Sequence, residues 1–385
     1  MPQSARRWDV FCAVVDNYGD AGVCWRLARQ LAAEHGIVVR LFVDRLTALA
    51  RIAPEIEPTR AVQIARNVRV CRWDGPHVDL EGIDPAEVVV EGFGCGLPPS
   101  YLAAMSARSP RPVWINLEYL SAERWIEDCH GLPSRHPTLP LTRHFFFPGF
   151  TLASGGLLRE RDLFGRRDAF RADAGARSAF LRKLELPIRA DEMMVVSLFC
   201  YPNAALPALL DAWSEGDEPI LCVVPEGVAT SALDAWTGGG VPHAGQRITR
   251  GRLTLGVVPF LEQDEYDRLL WCCDVNFVRG EDSFVRAQWA ARGFVWQPYP
   301  QAENAHRLKL DAFLDRYVST LDAGAAAALR AMSSAWNHSG DVDAAWRAFA
   351  GARDRLEAHA RTWGARLAAM PDLTANLVKF CTDRV

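Results

Sequence analysis

The sequence predicts an α/β protein with two doubly wound, Rossmann-like domains that face each other across a cleft. Two series of short apolar segments, each followed by segments of helical period, indicate this fold class. The apolar segments do not alternate strictly with polar residues, which is typical of parallel strands covered on both faces. A length of 385 residues is enough for two or three domains, each with its own core.

The first series occupies the N-terminal part of the chain. A strand at 10–15 precedes a helix at 23–33, and the pattern breaks between 135 and 162, where proline, glycine and aromatic residues are frequent. Further strands are predicted at 37–43, 68–72, 88–90 and 113–116. We therefore predict an N-terminal Rossmann-like domain over 1–155 and a connecting segment over 156–190.

The second series begins near residue 193, and an alanine-rich, helical region follows it from 325 to the end. Its strands are predicted at 193–199, 220–224, 253–258, 275–278 and 294–296, and its helices at 206–213, at 263–271 and from 284 onward. We assign 191–364 to a second, C-terminal Rossmann-like domain. A C-terminal helix at about 365–385 is expected to pack back on the N-terminal domain.

Composition and charge argue against several classes of protein. Hydrophobic residues make up 49% of the chain and charged residues 23%, as in ordinary globular proteins. The net charge of −4 lacks the basic surplus of a nucleic-acid-binding protein. No apolar segment approaches the roughly 20 residues that span a membrane, and the N-terminus lacks a signal-peptide core. We expect a cytoplasmic protein that binds neither nucleic acid nor membrane.

The ten cysteines and nine histidines do not follow metal-binding patterns. Cys-x-x-Cys, His-x-x-x-His and His-Glu-x-x-His spacings are all missing, and Cys272 and Cys273 are adjacent. Cys12, Cys200 and Cys222 lie in apolar segments, where cysteine behaves as a small hydrophobic residue. We expect buried free thiols and no metal site.

Two aspartates lie in the loop between the first strand and the first helix, which reads Asp16-Asn17-Tyr18-Gly19-Asp20. Ligands of open α/β sheets bind where such loops leave the strands, close to helix N-termini. The helix dipole lowers a carboxylate pKa, so an ionised aspartate here can hold or deprotonate a cationic group. The alternative is a helix cap and a turn aspartate, without chemistry.

A second candidate loop, Arg279-Gly280-Glu281-Asp282-Ser283, also lies between a predicted strand and a helix. Backbone N–H groups, the Ser283 hydroxyl and the helix dipole can bind a phosphate there, and Arg279 can pair with a diphosphate. The alternative is a capped helix with surface charges.

Two further loops of the second half carry aromatic and amide side chains. Phe199 and Tyr201 end one strand, and Phe260 and Gln263 follow another. An aromatic face together with an amide suits a flat, hydrogen-bonding pyrimidine base. Because parallel strands end at the same edge of a sheet, all three loops together predict a nucleotide-sugar site.

A glycine-rich loop at 92–96 follows the strand at 88–90. Its spacing, G-x-G-x-G with Pro98 and Pro99 directly after, differs from the dinucleotide-binding fingerprint. A tight turn that opens a helix near Tyr101 is predicted instead, and the role of the loop stays open.

Several segments together resemble the protein-arginine rhamnosyltransferases that modify translation elongation factor P. These segments, which extend over most of the chain, are 16–20, 114–121, 129–134, 147–150, 197–201 and 279–288. The resemblance implies a GT-B glycosyltransferase that transfers L-rhamnose from dTDP-β-L-rhamnose to an arginine of elongation factor P. It further implies inversion at the anomeric carbon and a reaction without metal or other cofactor.

The resemblance also implies that the domain over 1–155 binds the acceptor and that the domain over 191–364 binds the nucleotide sugar. Roles for individual residues follow from it as well. Asp20 is expected to act as the base and Asp16 as its orienting partner, with Glu281 as a further catalytic residue at the sugar. The donor-binding residues implied are Phe199, Tyr201, Phe260, Gln263, Arg279, Asp282 and Ser283.

Four residues are candidates for binding the acceptor: Asn17, Tyr18, Glu118 and Tyr119. Glu118 and Tyr119 follow the strand at 113–116 and can pair with and stack on a basic loop that carries the target arginine. The alternative for these two is that they are ordinary helix-start residues.

Two other functions stay open from the sequence. The first is a GT-B enzyme with another nucleotide sugar and a glycan or lipid acceptor, for which a basic amphipathic surface is expected but not found. The second is a non-catalytic nucleotide-sugar-binding protein, which leaves Asp16 and Asp20 without a role.

Overall fold

The computed structural model describes residues 6–77, 80, 82–186 and 192–384. The chain divides into two compact units, Met1–Arg161 with Ala368–Val385 and Asp162–Leu367. Each unit contains one mainly parallel sheet, which confirms the predicted α/β class with two parallel-sheet domains. The predicted boundary between 190 and 191 lies outside the described residues.

The sheet of the first unit has eight strands. They are β1 (Arg7–Cys12), β2 (Val38–Val43), β3 (Val62–Ala65), β4 (Val68–Arg72), β5 (Val88–Gly92), β6 (Val113–Leu117), β7 (Pro133–Arg135) and β8 (Thr142–Phe146). The order is β3-β4-β2-β1-β5-β6-β8-β7, with β3 and β7 antiparallel to their neighbours at the two edges. Because β1 pairs with β2 on one side and with β5 on the other, the topological switch point lies at the carboxyl ends of β1 and β5.

Four helices of the first unit follow its strands in the chain. They are α1 (Gly19–His35), α2 (Leu46–Ile52), α3 (Pro99–Ala107) and α4 (Trp125–Cys129). Helix α3 confirms the helix predicted near Tyr101. Residue 36 is a glycine with φ of +63°, which ends α1 in the left-handed conformation that glycine adopts without strain.

The sheet of the second unit has six strands in the order β11-β12-β10-β9-β13-β14. Their bounds are β9 (Met194–Leu198), β10 (Ile220–Pro225), β11 (Arg247–Arg250), β12 (Leu253–Val258), β13 (Val275–Arg279) and β14 (Gly293–Gln297). Among the described strands of this sheet, β11 alone is antiparallel to its neighbour. The switch point of this sheet lies at the carboxyl ends of β9 and β13, since β9 pairs with β10 on its other side.

The helices of the second unit include two within the segment that was predicted to connect the domains. They are α5 (Leu163–Ala172), α6 (Ala176–Lys183), α7 (Leu206–Glu215), α8 (Thr230–Thr237), α9 (Gln263–Cys272), α10 (Asp282–Ala290), α11 (Ala305–Tyr317), α12 (Ala323–Asn337), α13 (Val342–Gly351) and α14 (Arg353–Ala368). The alanine-rich region is helical, as predicted. No helix in the described part of the chain is long and apolar enough to cross a membrane.

The last helix, α15 (Leu373–Thr382), packs within the first unit. The Thr374 hydroxyl donates to the Gln30 side chain of α1 at 2.8 Å, and the Leu373 N–H donates to the Leu157 carbonyl at 2.9 Å. Leu377 on the same helix is fully buried. These contacts link the end of the chain to the helix that follows the 16–20 loop.

Candidate active site

The 16–20 loop takes its shape from carboxylates that bind its own backbone. Asp20 lies in the first turn of α1, and its Oδ2 accepts from the N–H groups of Val15 at 2.7 Å and Asp16 at 2.8 Å. The Val14 N–H donates to Asp44 at 2.9 Å. These bonds replace sheet pairing, so β1 ends at Cys12, earlier than the predicted strand at 10–15.

Neither aspartate occupies the helix N-cap. That position belongs to Tyr18, which makes no side-chain capping bond. The Asp16 carboxylate instead lies under Gly19, where an added Cβ would come within 2.4 Å of its Oδ2. A side chain at position 19 would therefore displace the Asp16 carboxylate. Both carboxyls are largely buried, with Asp16 7% and Asp20 2% exposed.

The pKa of the Asp20 carboxyl is set mainly by burial. Desolvation raises the pKa of this carboxyl, whereas the N–H groups of Asp16 and Val15, the Tyr119 hydroxyl and the charge of Arg45 lower it. Burial prevails and the pKa is raised overall. For Asp20 the lowered pKa predicted from the helix dipole is thus wrong, because the loop encloses the carboxyl. A raised pKa makes the ionised carboxylate a better proton acceptor.

The candidate acceptor residues of the first unit meet at the same sheet edge. Tyr119 follows β6 and donates its hydroxyl to Asp20, which joins the end of β6 to the 16–20 loop. The Glu118 carboxylate accepts from the Asn116 side-chain amide, and the backbone N–H of Glu118 donates to the Phe146 carbonyl at 2.9 Å. Because α4 begins only at Trp125, the helix-start alternative for Glu118 and Tyr119 is wrong.

Asn17 and Tyr18 lie between the two aspartates in the chain. Asn17 is exposed and has a φ of +31°, and Tyr18 is half-buried. Both residues therefore keep exposed surface at this edge of the sheet.

In the second unit, Arg279 lies between two aromatic rings at the ends of β9 and β13. Its guanidinium carbon is 4.2 Å from the ring centre of Phe199 and 4.6 Å from that of Tyr201. The guanidinium also donates to the Cys200 carbonyl at 2.9 Å. The Tyr201 N–H donates to Gln297 at 3.0 Å. The structure thus brings Arg279, Phe199 and Tyr201 into one cluster.

The loop after β12 adds the remaining candidate side chains to this cluster. The ring of Phe260 lies edge-on to Phe199 with centroids 6.1 Å apart. Gln263 begins α9, and its amide donates to Asp282 at 3.3 Å. The loop that contains Phe260 and Gln263 is therefore in direct contact with the 279–283 loop. Both Phe199 and Phe260 are half-buried, which leaves an aromatic surface for a flat ring.

The 279–283 loop forms a tight turn into α10. Gly280 has a φ of +59°, and its N–H donates to the Gln297 carbonyl at 3.0 Å. Ser283 accepts from the Arg279 N–H at 3.0 Å and donates to the carbonyl of the same residue. Glu281 stands at the N-cap position without a side-chain capping bond. The first-turn N–H groups of α10 have no intrahelical acceptors, as at any helix start, and suit an anion.

Three residues in contact with the candidates were missed from the sequence. The ring centroid of Tyr266, on α9, lies 5.5 Å from that of Phe199. Burial raises the pKa of the Tyr266 phenol. Phe93 stacks on Tyr119, and Asn116 binds Glu118. Helical spacing from Gln263 offered a signal for Tyr266. No local pattern pointed to the stacking of Phe93, because Tyr119 is distant from it in the chain. Asn116 lies within the 114–121 segment, two residues before Glu118, but the sequence analysis gave it no role.

Within the described residues, no group of three or more His, Cys, Asp or Glu side chains is placed to hold a metal ion. The ten cysteines are free thiols, of which eight are buried and two, Cys95 and Cys129, are half-buried.

Comparison with known proteins identifies the family of this chain. The family model described as Elongation-Factor P (EF-P) rhamnosyltransferase EarP matches residues 8–382. The chain belongs to the EarP family.

Relatives within the EarP family are similar along almost their whole length. The protein-arginine rhamnosyltransferase of Pseudomonas putida is 51% identical over 373 residues, which cover 97% of this chain and 98% of the relative. That of Pseudomonas aeruginosa is 46% identical over 376 residues, covering 98% and 99%. The chain is thus a glycosyltransferase of the protein-arginine rhamnosyltransferase type, which confirms the predicted family.

Solved structures agree with the EarP assignment. A structure from work on EarP-mediated arginine glycosylation of translation elongation factor EF-P is 39% identical, with a TM-score of 0.71, and covers 99% of this chain and 100% of its own. MurG of Acinetobacter baumannii is 14% identical, with a TM-score of 0.52 and coverage of 99% and 100%. The MurG similarity shows the fold alone, and the predicted GT-B fold is confirmed.

Proposed function

We propose that this enzyme transfers L-rhamnose from dTDP-β-L-rhamnose to an arginine side chain of EF-P, with inversion at the anomeric carbon and without a metal. Membership of the EarP family supports the choice of sugar and acceptor. The observation that carries the chemistry is the pair of buried carboxyls, Asp16 and Asp20, at the switch point of the first sheet. EF-P is a translation factor, so the proposed reaction belongs in the cytoplasm.

An arginine acceptor explains why two carboxylates are needed. A guanidinium is a poor nucleophile because its lone pairs are delocalised and its proton is held with a pKa above about 12. One carboxylate can fix the group by a charge-assisted, bidentate pair. The other can accept the proton as nitrogen attacks the anomeric carbon on the face opposite the diphosphate. We assign the proton acceptor to Asp20, whose raised pKa favours that role, and the orienting pair to Asp16.

The second unit is assigned to the donor. Phe199 and Phe260 offer ring faces or edges for the thymine, and the amide of Gln263 offers hydrogen bonds to its polar edge. The start of α10, with Asp282 and Ser283, is assigned to the diphosphate and sugar, where backbone N–H groups stabilise the leaving group.

The roles of Arg279 and Glu281 follow from their places beside the start of α10. Arg279 is stacked on Phe199 and Tyr201, so it can present a positive charge next to the nucleotide. Glu281 is assigned to the rhamnose, where its charge stabilises the positive charge that develops as the glycosidic bond breaks.

Intact mass spectrometry of EF-P incubated with the enzyme and dTDP-β-L-rhamnose tests the proposal. We expect a mass increase of one deoxyhexose, located on one arginine by fragmentation, and abolished when that arginine is replaced by lysine. NMR of the product should show the α-linkage that inversion requires. The reaction should proceed in the presence of EDTA.

Parallel reactions with dTDP-glucose, and with a glycan acceptor in place of EF-P, separate this function from other GT-B reactions. Transfer to the glycan, or an unmodified EF-P with a folded enzyme and an intact donor, would contradict the proposal.

A further inference from the structure

The glycine-rich loop at 92–96 lies beside the 16–20 loop because β5 pairs directly with β1. Its residue Phe93 has a φ of +57°, a left-handed conformation that is unfavourable for a side chain with a Cβ. Such conformations persist where the surroundings determine them, and they concentrate at functional sites. The proposed reaction has so far given this loop no role.

The backbone of this loop is held by the neighbouring strand β6 and by the end of β5. The Phe93 N–H donates to the Leu117 carbonyl at 2.7 Å, and the Gly94 N–H donates to the Asn116 side chain at 2.9 Å. The Gly96 N–H donates to the carboxylate of Glu91 at 2.9 Å. These bonds fix the direction in which the ring of Phe93 leaves the loop.

Phe93 stacks on the ring of Tyr119. The ring centres are 4.5 Å apart and the planes differ by 14°. Tyr119 is half-buried and follows the end of β6, and its hydroxyl donates to Asp20. The left-handed loop, the stacked pair and the carboxylate therefore form a continuous chain of contacts.

A second route leads from the same loop to Glu118. Asn116 is 3% exposed, and while its carbonyl oxygen accepts from Gly94, its amide donates to the Glu118 carboxylate. The loop thus contacts both residues that follow β6, one through a ring and the other through an amide.

We propose that Phe93 is a positioning residue, which holds the Tyr119 hydroxyl against Asp20 and so sets the geometry of the acceptor site. This inference rests on the proposed function, because it assigns a use to the groups that meet the acceptor arginine. Phe93 acts through Tyr119 and does not itself take part in proton transfer. The strained backbone of the loop is retained because it directs the ring to this place.

A measurable consequence concerns the ionisation of Asp20. The charged and titratable groups that act on this carboxyl include Arg45, Tyr119 and Cys12, and hydrogen bonding by Tyr119 lowers its pKa. When Phe93 no longer restrains Tyr119, that donation weakens and the pKa of Asp20 rises further. The acid limb of kcat/KM then moves to higher pH.

The test compares Phe93→Leu, which removes the ring, with Phe93→Tyr, which keeps it. In Phe93→Leu we expect kcat to fall roughly 10- to 100-fold, since misplacing a reacting group by about 1 Å can cost about 10²-fold. The KM for the donor should stay unchanged, because the donor residues belong to the other unit. The acid limb should move to higher pH, and Phe93→Tyr should restore both kcat and the limb.

A double-variant cycle with Tyr119→Phe identifies the route. Tyr119→Phe should shift the acid limb in the same direction, and adding Phe93→Leu should shift it no further. Thermal melting and dTDP binding verify the fold of each variant. If Phe93→Leu does not fold, Phe93→Gly takes its place, because glycine adopts the left-handed backbone without strain.

Carbon-13 NMR titration of the Asp20 carboxyl provides a readout that needs no turnover. A raised pKa of Asp20 in Phe93→Leu supports the inference even if the wild-type enzyme leaves EF-P unmodified. That second outcome would overturn only the proposed function. An unchanged Asp20 titration in a folded Phe93→Leu variant overturns the inference, whether or not Tyr119→Phe shifts it.

Discussion

At the scale of single residues, Asp20 has both a structural and a proposed chemical role. Its Oδ2 accepts two backbone N–H groups that shape the loop, and yet burial raises its pKa. A group whose pKa is raised by folding stabilises the fold below its unfolded pKa, and that contribution is lost as the pH rises through the folded pKa. At neutral pH the ionised Asp20 is therefore a cost to stability that the site retains.

The first prediction concerns Asp20→Asn. The amide oxygen can still accept from Val15 and Asp16, so the variant should fold and bind dTDP-rhamnose as the wild type does. Without a base, the rate of EF-P modification should fall about 10²- to 10⁴-fold. Asp16→Asn should also be impaired, and the double variant should be little worse than the more damaged single variant.

Asp44→Asn is the matched control for Asp20→Asn, because Asp44 also accepts a backbone N–H of this segment, that of Val14. It should modify EF-P far faster than Asp20→Asn. Urea unfolding at pH 7 should find Asp20→Asn at least as stable as the wild type. If Asp20→Asn works at nearly the wild-type rate, the base must be another group, with Glu281 the first candidate.

The second prediction concerns the aromatic surface of the donor site. Phe260→Ala should weaken dTDP binding by about 1–3 kcal/mol, the usual loss for a base stack. Isothermal titration calorimetry with dTDP alone measures this without the protein acceptor. Unchanged affinity in a variant with normal thermal melting would place the thymine elsewhere.

The third prediction concerns Glu281→Gln, which keeps the shape of the side chain and removes its charge. Turnover should fall more than dTDP affinity, because the charge matters most when the glycosidic bond breaks. Wild-type turnover would reduce Glu281 to a residue of the helix start.

At the scale of elements, the donor loops depend on how α9 and α10 are joined. Arg286 of α10 donates to both oxygens of Asp267 of α9 at 2.8 and 2.6 Å, and both side chains are 1% exposed. The same two helices begin with Gln263 and Asp282, which are in contact. The buried pair therefore fixes the spacing of the helix N-termini that are assigned to the nucleotide.

The fourth prediction follows from this buried pair. Asp267→Leu leaves an uncompensated buried charge on Arg286, so the free energy of unfolding should fall by about 3–5 kcal/mol. The double variant Asp267→Leu with Arg286→Met should recover most of that loss, because it buries no charge. Urea unfolding measures both. A double variant as unstable as the single would show that the pair contributes more than charge compensation.

At the scale of the whole molecule, the first unit is assembled from both ends of the chain. Its C-terminal helix α15 buries Leu377. The ring of Phe380 lies edge-on to that of Phe146, with ring centroids 5.6 Å apart. The second unit is continuous in sequence. A destabilising substitution in α15 should therefore lower the stability of the first unit.

The fifth prediction uses this difference between the units. Leu377→Ala should destabilise the first unit by about 2–5 kcal/mol through the lost burial and the cavity left behind. Hydrogen exchange should report faster exchange in α1 and α15, while dTDP affinity, assigned to the second unit, stays the same. Lys379→Ala, on the exposed face of the same helix, is the control and should leave exchange unchanged.

Much of the fold could be read from local patterns. The strand at 68–72 and the start of α9 at 263 are as predicted, since apolar segments bounded by polar residues identify buried strands and helix starts. Edge strands were missed: β11 is largely exposed and β3 alternates between exposed and buried residues, so neither shows a continuous apolar segment. Strand β8 lies in the region between 135 and 162 that was predicted as irregular, and β7 ends where that region begins.

The candidate site divides in the same way. The sequence by itself determined the family and identified loops that the structure brings to the carboxyl edge of each sheet, because these motifs are local. Only the tertiary structure decided that Asp20 is buried strongly enough to raise its pKa, and that Phe93 meets Tyr119. Desolvation and ring contacts depend on segments that are far apart in the chain. The residue pattern of one segment does not indicate which residues of another segment pack against it.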